Sequence, residues 1–142
     1  MQFGRTISLL FAAGALGGLF YGLVAWLLGD LGISRGLGVR MNPVLTAPWI
    51  YQQIVWGGMW GMLFALPLSM HWLARGLTLS LLPSFVQLFF IYPVILHQGP
   101  FGIRLGILTP VLVLLVNGVW GVVAAWWLQT VRGGGYRCSA IK

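Results

Sequence analysis

Residues 7–29 read ISLLFAAGALGGLFYGLVAWLLG, without a single charge. This stretch decides the class of fold. In a helix rising about 1.5 Å per residue it is long enough to cross the ~30 Å hydrocarbon core of a bilayer. A secretory signal carries a shorter apolar core followed by a small-residue cleavage site. Phe11 to Ala15 offers a cleavage-like patch, yet the apolar run continues through Leu28. The reading is an uncleaved transmembrane helix, with a signal peptide as the alternative.

The rest of the chain agrees with that solvent. Of 142 residues, 59% are hydrophobic and 6% are charged, where a soluble domain carries roughly 25% charged residues. The mean hydropathy is +0.93. The net charge of +7 comes from eight basic residues against one acid, Asp30. The basic residues sit at span ends, where they meet lipid headgroups and set topology, so nucleic acid is not an expected partner. A single acid excludes paired-carboxylate catalysis and acidic metal cages. The lone Cys138 makes no intramolecular disulfide.

The expected fold class is an all-α integral membrane protein, a single domain over 1–142. Four transmembrane helices form an antiparallel bundle, with spans at about 7–29, 48–70, 77–97 and 105–128. Thr46-Ala47-Pro48 and Thr109-Pro110 look like helix starts, since Pro is tolerated where its missing N–H has no partner to lose. Pro83 and Pro93 predict a kinked third helix. Residues 30–47 form an irregular loop, and 131–142 a flexible basic tail. Arg5, Arg75, Arg132, Arg137 and Lys142 fall on one side, against Arg35, Arg40 and Arg104 on the other. This bias puts both termini in the cytoplasm, with a bacterial inner membrane as the expected location.

Small residues recur at helical spacing. Gly14, Gly18 and Gly22 share one face of the first span; Gly57 and Gly61 repeat the spacing, as do Asn117, Gly121 and Ala125. In lipid, helices associate by close backbone approach at such positions, so these residues are read as a glycine zipper that packs helices. The second and fourth spans also align at an offset of 60, matching Gly58 with Gly118, Trp60 with Trp120, Gly61 with Gly121, Ala65 with Ala125 and Leu68 with Leu128. Two tandem hairpins are one account of this; coincidence in a Gly-, Trp- and Leu-rich chain is the other, because the first and third spans do not align.

Polar residues at mid-membrane depth are few. Gln87, Asn117, Trp60 and Trp120 form the candidate cluster, read as interhelical hydrogen bonding first and as a neutral binding site second. His71 and His97 end successive spans on opposite sides of the bilayer, about 30 Å apart, and cannot share a haem. Ser69, Ser80 and Ser84 lack acid and histidine partners for a hydrolase triad. No cofactor and no metal is expected. A membrane-embedded glutamate, as in small multidrug exporters, and the paired cysteines of vitamin K epoxide reductase-like proteins are both missing.

Val86-Gln87-Leu88-Phe89, Pro93 and Gly118-Val119-Trp120 resemble the carboxy-terminal half of the YagU-like bacterial inner-membrane proteins. That family has no established biochemical activity and is linked to acid tolerance. Its pattern places an acid and a histidine before the last-span Trp, where this chain has Asn117 and Gly118, so no functional residue carries over. The leading expectation is a non-enzymatic accessory protein that self-associates, or joins another membrane protein, through glycine-lined faces. The alternative is a small channel or transporter for an uncharged solute; a cofactor-binding enzyme subunit ranks third.

Overall fold

The glycines that recur along the chain are also where its helices meet. The computed structural model describes the backbone of residues 2–137 and the side chains of residues 2–133. Among them it is all-helical. The helices are α1 (Gln2–Asp30), α2 (Ile33–Gly36), α3 (Ala47–Gly61), α4 (Trp72–Val86) and α5 (Thr109–Arg137). A 3₁₀ turn, Met62–Ala65, prolongs α3; a π-helix, Gln87–Ile95, prolongs α4; a 3₁₀ turn at Pro100–Gly102 lies in the last loop. Three segments are long and apolar enough to cross a membrane: α1, the continuous stretch from Trp72 to Ile95, and α5.

The boundaries differ from the expected ones for identifiable reasons. The second span was expected to reach Met70, but α3 ends at Gly61 and its 3₁₀ extension at Ala65. Pro67 is the cause: it has no N–H, and it pushes Leu66 out of the helical region, to φ −62° and ψ 131°. At about 1.5 Å and 2.0 Å per residue, α3 and its extension together still rise ~30 Å. The third helix starts earlier than expected, at Trp72. The fourth starts at Thr109, because Gly102 and Gly106 carry positive φ angles of 70° and 153° in the turn before it. It continues through Arg137, so the first part of the expected tail is helical; Cys138 and Lys142 lie outside the described residues.

Packing follows the order α3–α1–α5–α4. Gly14 and Gly18 of α1 lie on Gly57 and Gly61 of α3, backbone to backbone: a Cβ on Gly57 would sit 2.6 Å from the Gly18 Cα. Gly22 abuts Ile50 and Gln53 of α3. On α4 and α5, Gly76 meets Gly121 and Ala125. The register runs backwards in both pairs, so each pair is antiparallel. A second face of α1, bearing Leu10, Ala13 and Gly17, packs on α5 and builds the core with Phe64, Trp120, Ala124 and Leu128. By contrast α3 and α4 share no packed interface.

The loops close the two ends. At one end the Arg75 guanidinium turns back from α4 and donates from Nη2 to the carbonyls of Phe64 (2.6 Å) and Leu66 (2.9 Å), while its Cζ lies 5.7 Å from the Phe64 ring centroid. It thereby caps the Phe64 carbonyl at the broken helix end and adds a second bond to the Leu66 carbonyl, which also accepts from the Leu68 N–H (2.9 Å). At the other end the first loop folds onto the last. The Arg40 N–H donates to the Leu105 carbonyl (2.7 Å), and Val39 is buried. Gly106 lies so close to the Gly38 carbonyl and the Val39 backbone that a Cβ there would clash.

Gly14→Val is expected to destabilise the folded monomer by more than the about 1–3 kcal/mol typical of overpacking, since backbone rather than side chain blocks the added atoms. Gly4→Val, which meets nothing within 4 Å, is the control. Thermal midpoints of the two variants in detergent measure the difference.

Candidate functional site

The missing α3–α4 interface leaves a cleft of about 530 Å³. One wall is α3, which presents Trp49, Gln53, Trp56 and Trp60 at helical spacing; the other is the π segment with Ile91 and Ile95. Tyr21 of α1 and Asn117 and Trp120 of α5 lie at its floor, and Met41 and Pro43 of the first loop cover one end. Among the described residues no Asp, Glu, Lys, Arg or His lines it. A second cavity, about 260 Å³, lies in the first loop beside Arg35 and Arg40, away from the bundle centre.

The floor of the cleft is a hydrogen-bonded group of neutral side chains. Gln87 Nε2 donates to the Tyr21 hydroxyl (3.0 Å) and to the Tyr92 hydroxyl (3.2 Å). Its Oε1 accepts from Asn117 Nδ2 (3.0 Å), whose other N–H goes to the Val113 carbonyl (3.0 Å). Tyr21 Oη also lies 3.4 Å from Gln87 Oε1. In hydrocarbon such groups must satisfy one another, and this group ties α1, the π segment and α5 together.

The π-helix makes this arrangement. Residues five apart point about 140° from each other on an α-helix. Bonds closing i to i+5 bring them onto one face, and Gln87 and Tyr92 then meet. Pro93, expected only to kink the helix, lies within that segment. The α4 interior also holds the buried Pro83, and Ser84 Oγ donates to the Ser80 carbonyl at 2.8 Å there.

Of the candidate cluster, Gln87 and Asn117 are directly bonded. Trp120 lies beside them but serves a different joint: its Nε1 donates to the Gly14 carbonyl of α1 (3.1 Å) and the Gly57 carbonyl of α3 (3.3 Å). Trp60 makes no side-chain hydrogen bond among the described residues and stands half-exposed on the cleft wall. The expected packing residues Gly14, Gly18, Gly22, Gly57, Gly61, Gly121 and Ala125 all meet another helix of the same chain. Their close approaches are therefore used within the monomer.

Tyr21 and Tyr92 were not singled out from sequence. A signal existed for Tyr21, which follows Leu10 and Gly17 at helical spacing and packs against the core that α1 forms with α5. None existed for Tyr92, whose place depends on a π-helix that no local residue pattern announces. His71 and His97 flank opposite ends of the Trp72–Ile95 segment, outside the cleft; His71 lies against Trp72 with ring centroids 5.6 Å apart. No protein-family model matches the chain, and no curated protein or solved structure does either.

Trp120→Phe keeps the ring volume nearest to native while removing the shared N–H. It is expected to lower stability by about 1–2 kcal/mol, in the range of an interhelical hydrogen bond in a membrane. Gln87→Leu, which leaves two tyrosine hydroxyls and Asn117 short of a partner, is expected to cost about 1–3 kcal/mol. Unfolding in mixed micelles reads both.

Proposed function

We propose that this chain is a four-span protein of a bacterial inner membrane that holds a small, uncharged, lipid-soluble molecule in the cleft between α3 and the π segment. The single observation behind this is the character of the cleft. It combines about 530 Å³ of space, tryptophan and aliphatic walls, a floor of amides and phenols, and, among the described residues, no acid or base that is charged at neutral pH. Ligand sites are mostly apolar concavities with a few placed polar groups, and this one has that composition. It lies between helices that do not pack together, so its mouth faces sideways, toward acyl chains.

This reading takes the expected alternative, an uncharged solute, ahead of association through glycine faces. The glycines meet partners within their own chain, which leaves none of their close approaches for a second protein. The reading is of a binder or carrier rather than an enzyme, because neutral amides and phenols offer no acid–base pair poised near neutral pH. With α3 and its 3₁₀ extension as the fourth span, the antiparallel order puts both termini on one side, and the arginine bias makes that side cytoplasmic.

A brominated decanol, a neutral quencher of tryptophan, tests the site. With the protein in lipid nanodiscs, quenching is expected to contain a saturable component that weakens about tenfold in Asn117→Leu, a loss of roughly 1.4 kcal/mol. Quenching that is purely linear and unchanged in the variant would remove the binding reading. For orientation, alkaline phosphatase fused after Arg104 is expected to be active in bacterial cells, and fused after Arg137 inactive; the reverse pattern overturns the topology.

A further inference from the structure

The two hairpins, α1–α3 and α4–α5, use one contact pattern. A Cβ on Gly61 would meet Leu10 and Gly14; a Cβ on Gly121 would meet Gly76 and Ser80. Gly58 faces Phe11, and Gly118 faces Leu77. The second helices match at an offset of 60, and these contacts make the first helices match at 66. Leu10, Phe11 and Gly14 thus correspond to Gly76, Leu77 and Ser80; continued, the register pairs Gly17 with Pro83 and Tyr21 with Gln87.

Under this correspondence the α1–α5 interface has a counterpart, which is α4–α3. The first is closed by Trp120, whose indole lies against Gly17 and donates to the carbonyls of Gly14 and Gly57. The second is the cleft, and Trp60, the counterpart of Trp120, stands on its wall without a side-chain hydrogen bond among the described residues. The sequence explains why Trp60 stays out. Pro83 puts a ring where Gly17 has none, and Asn117 puts a side chain where Gly57 has none. The Ser80 carbonyl, counterpart of the Gly14 acceptor, is already bonded by Ser84 Oγ.

Two polar atoms of the cleft lack partners among the described residues. With both Gln87 N–H bonds directed at tyrosine oxygens, the Tyr92 hydroxyl hydrogen has no acceptor among the described residues. Asn117 Oδ1 has no donor among them. Tyr92 and Asn117 both line the cleft and both are more than nine-tenths buried. One donor and one acceptor suit a hydroxyl group, which gives and takes one hydrogen bond.

We infer that the cleft is the vacated counterpart of the Trp120 joint and takes, in place of the Trp60 indole, a flat uncharged ring bearing a hydroxyl group. This rests on the reading of the cleft as a ligand site. The ring lies between the α3 tryptophans and the π segment, and its hydroxyl accepts from Tyr92 and donates to Asn117 Oδ1.

Calorimetry with 1-naphthol on the full chain in nanodiscs tests this, with naphthalene, decalin-1-ol and the brominated decanol as comparison ligands. Saturable 1-naphthol binding is expected, at least tenfold tighter than that of naphthalene or decalin-1-ol, and at least tenfold weaker in Tyr92→Phe. Equal binding of decalin-1-ol overturns the flat ring, and an unaffected Tyr92→Phe overturns the hydroxyl placement. In either case saturable decanol quenching leaves the broader ligand site standing; if no compound binds saturably, both readings fall. The double variant Pro83→Gly with Asn117→Gly opens the slot to Trp60 and is expected to abolish 1-naphthol binding. Retained binding in that variant overturns the correspondence, and if the variant does not fold, Tyr92→Phe and the ligand series decide.

Discussion

One indole N–H holds three helices together. Trp120 of α5 reaches the carbonyls of Gly14 in α1 and Gly57 in α3 at 3.1 and 3.3 Å. Both acceptors belong to helical backbone, normally screened by the side chains around it. They are accessible because glycines strip the screen away and let α1 and α3 close to backbone contact. The large residue and the small ones are therefore one device. Without glycine the indole has no slot, and without the indole the slot is a void between helices that lipid cannot fill.

The rest of the bundle takes its shape from that joint. It fixes α3 and α5 on neighbouring faces of α1, and α4 packs on α5. The missing fourth interface becomes the cleft. The amide and phenol group at its floor then does for α1, the π segment and α5 what the indole does nearer the core: it supplies directional bonds where burial of apolar surface gives no preference between protein and lipid.

Much of this was legible in the chain itself. Length and composition of residues 7–29 announce the solvent, the glycine spacing marks the faces that meet, and Thr46-Ala47-Pro48 and Thr109-Pro110 place two helix starts. Less was visible where one residue acts at a distance. Pro67 shortens the second helix although the apolar run continues past it. Arg75, counted for topology, spends its guanidinium on the Phe64 and Leu66 carbonyls at the helix end that Pro67 breaks. The like packing of α1 and α4 was hidden because it is carried by contacts rather than by shared residue types: Gly61 meets Leu10 and Gly14, and Gly121 meets Gly76 and Ser80. The cleft was invisible for the same reason, since it arises from an interface that does not form.

The π segment from Gln87 to Ile95 can also be regarded as a helix with one residue too many for its turns. Removing any one of the four residues between Gln87 and Tyr92 would leave the two side chains at the spacing where ordinary α-helical bonds bring neighbours together. The backbone beyond would then turn by about 100° about the helix axis, carrying Ile95 and the last loop with it. The pairing of amide and phenol and the placement of the loop that meets Arg40 are thus set by a single count. A length change of one codon here would act on the shape of the cleft more than most substitutions of the residues that line it.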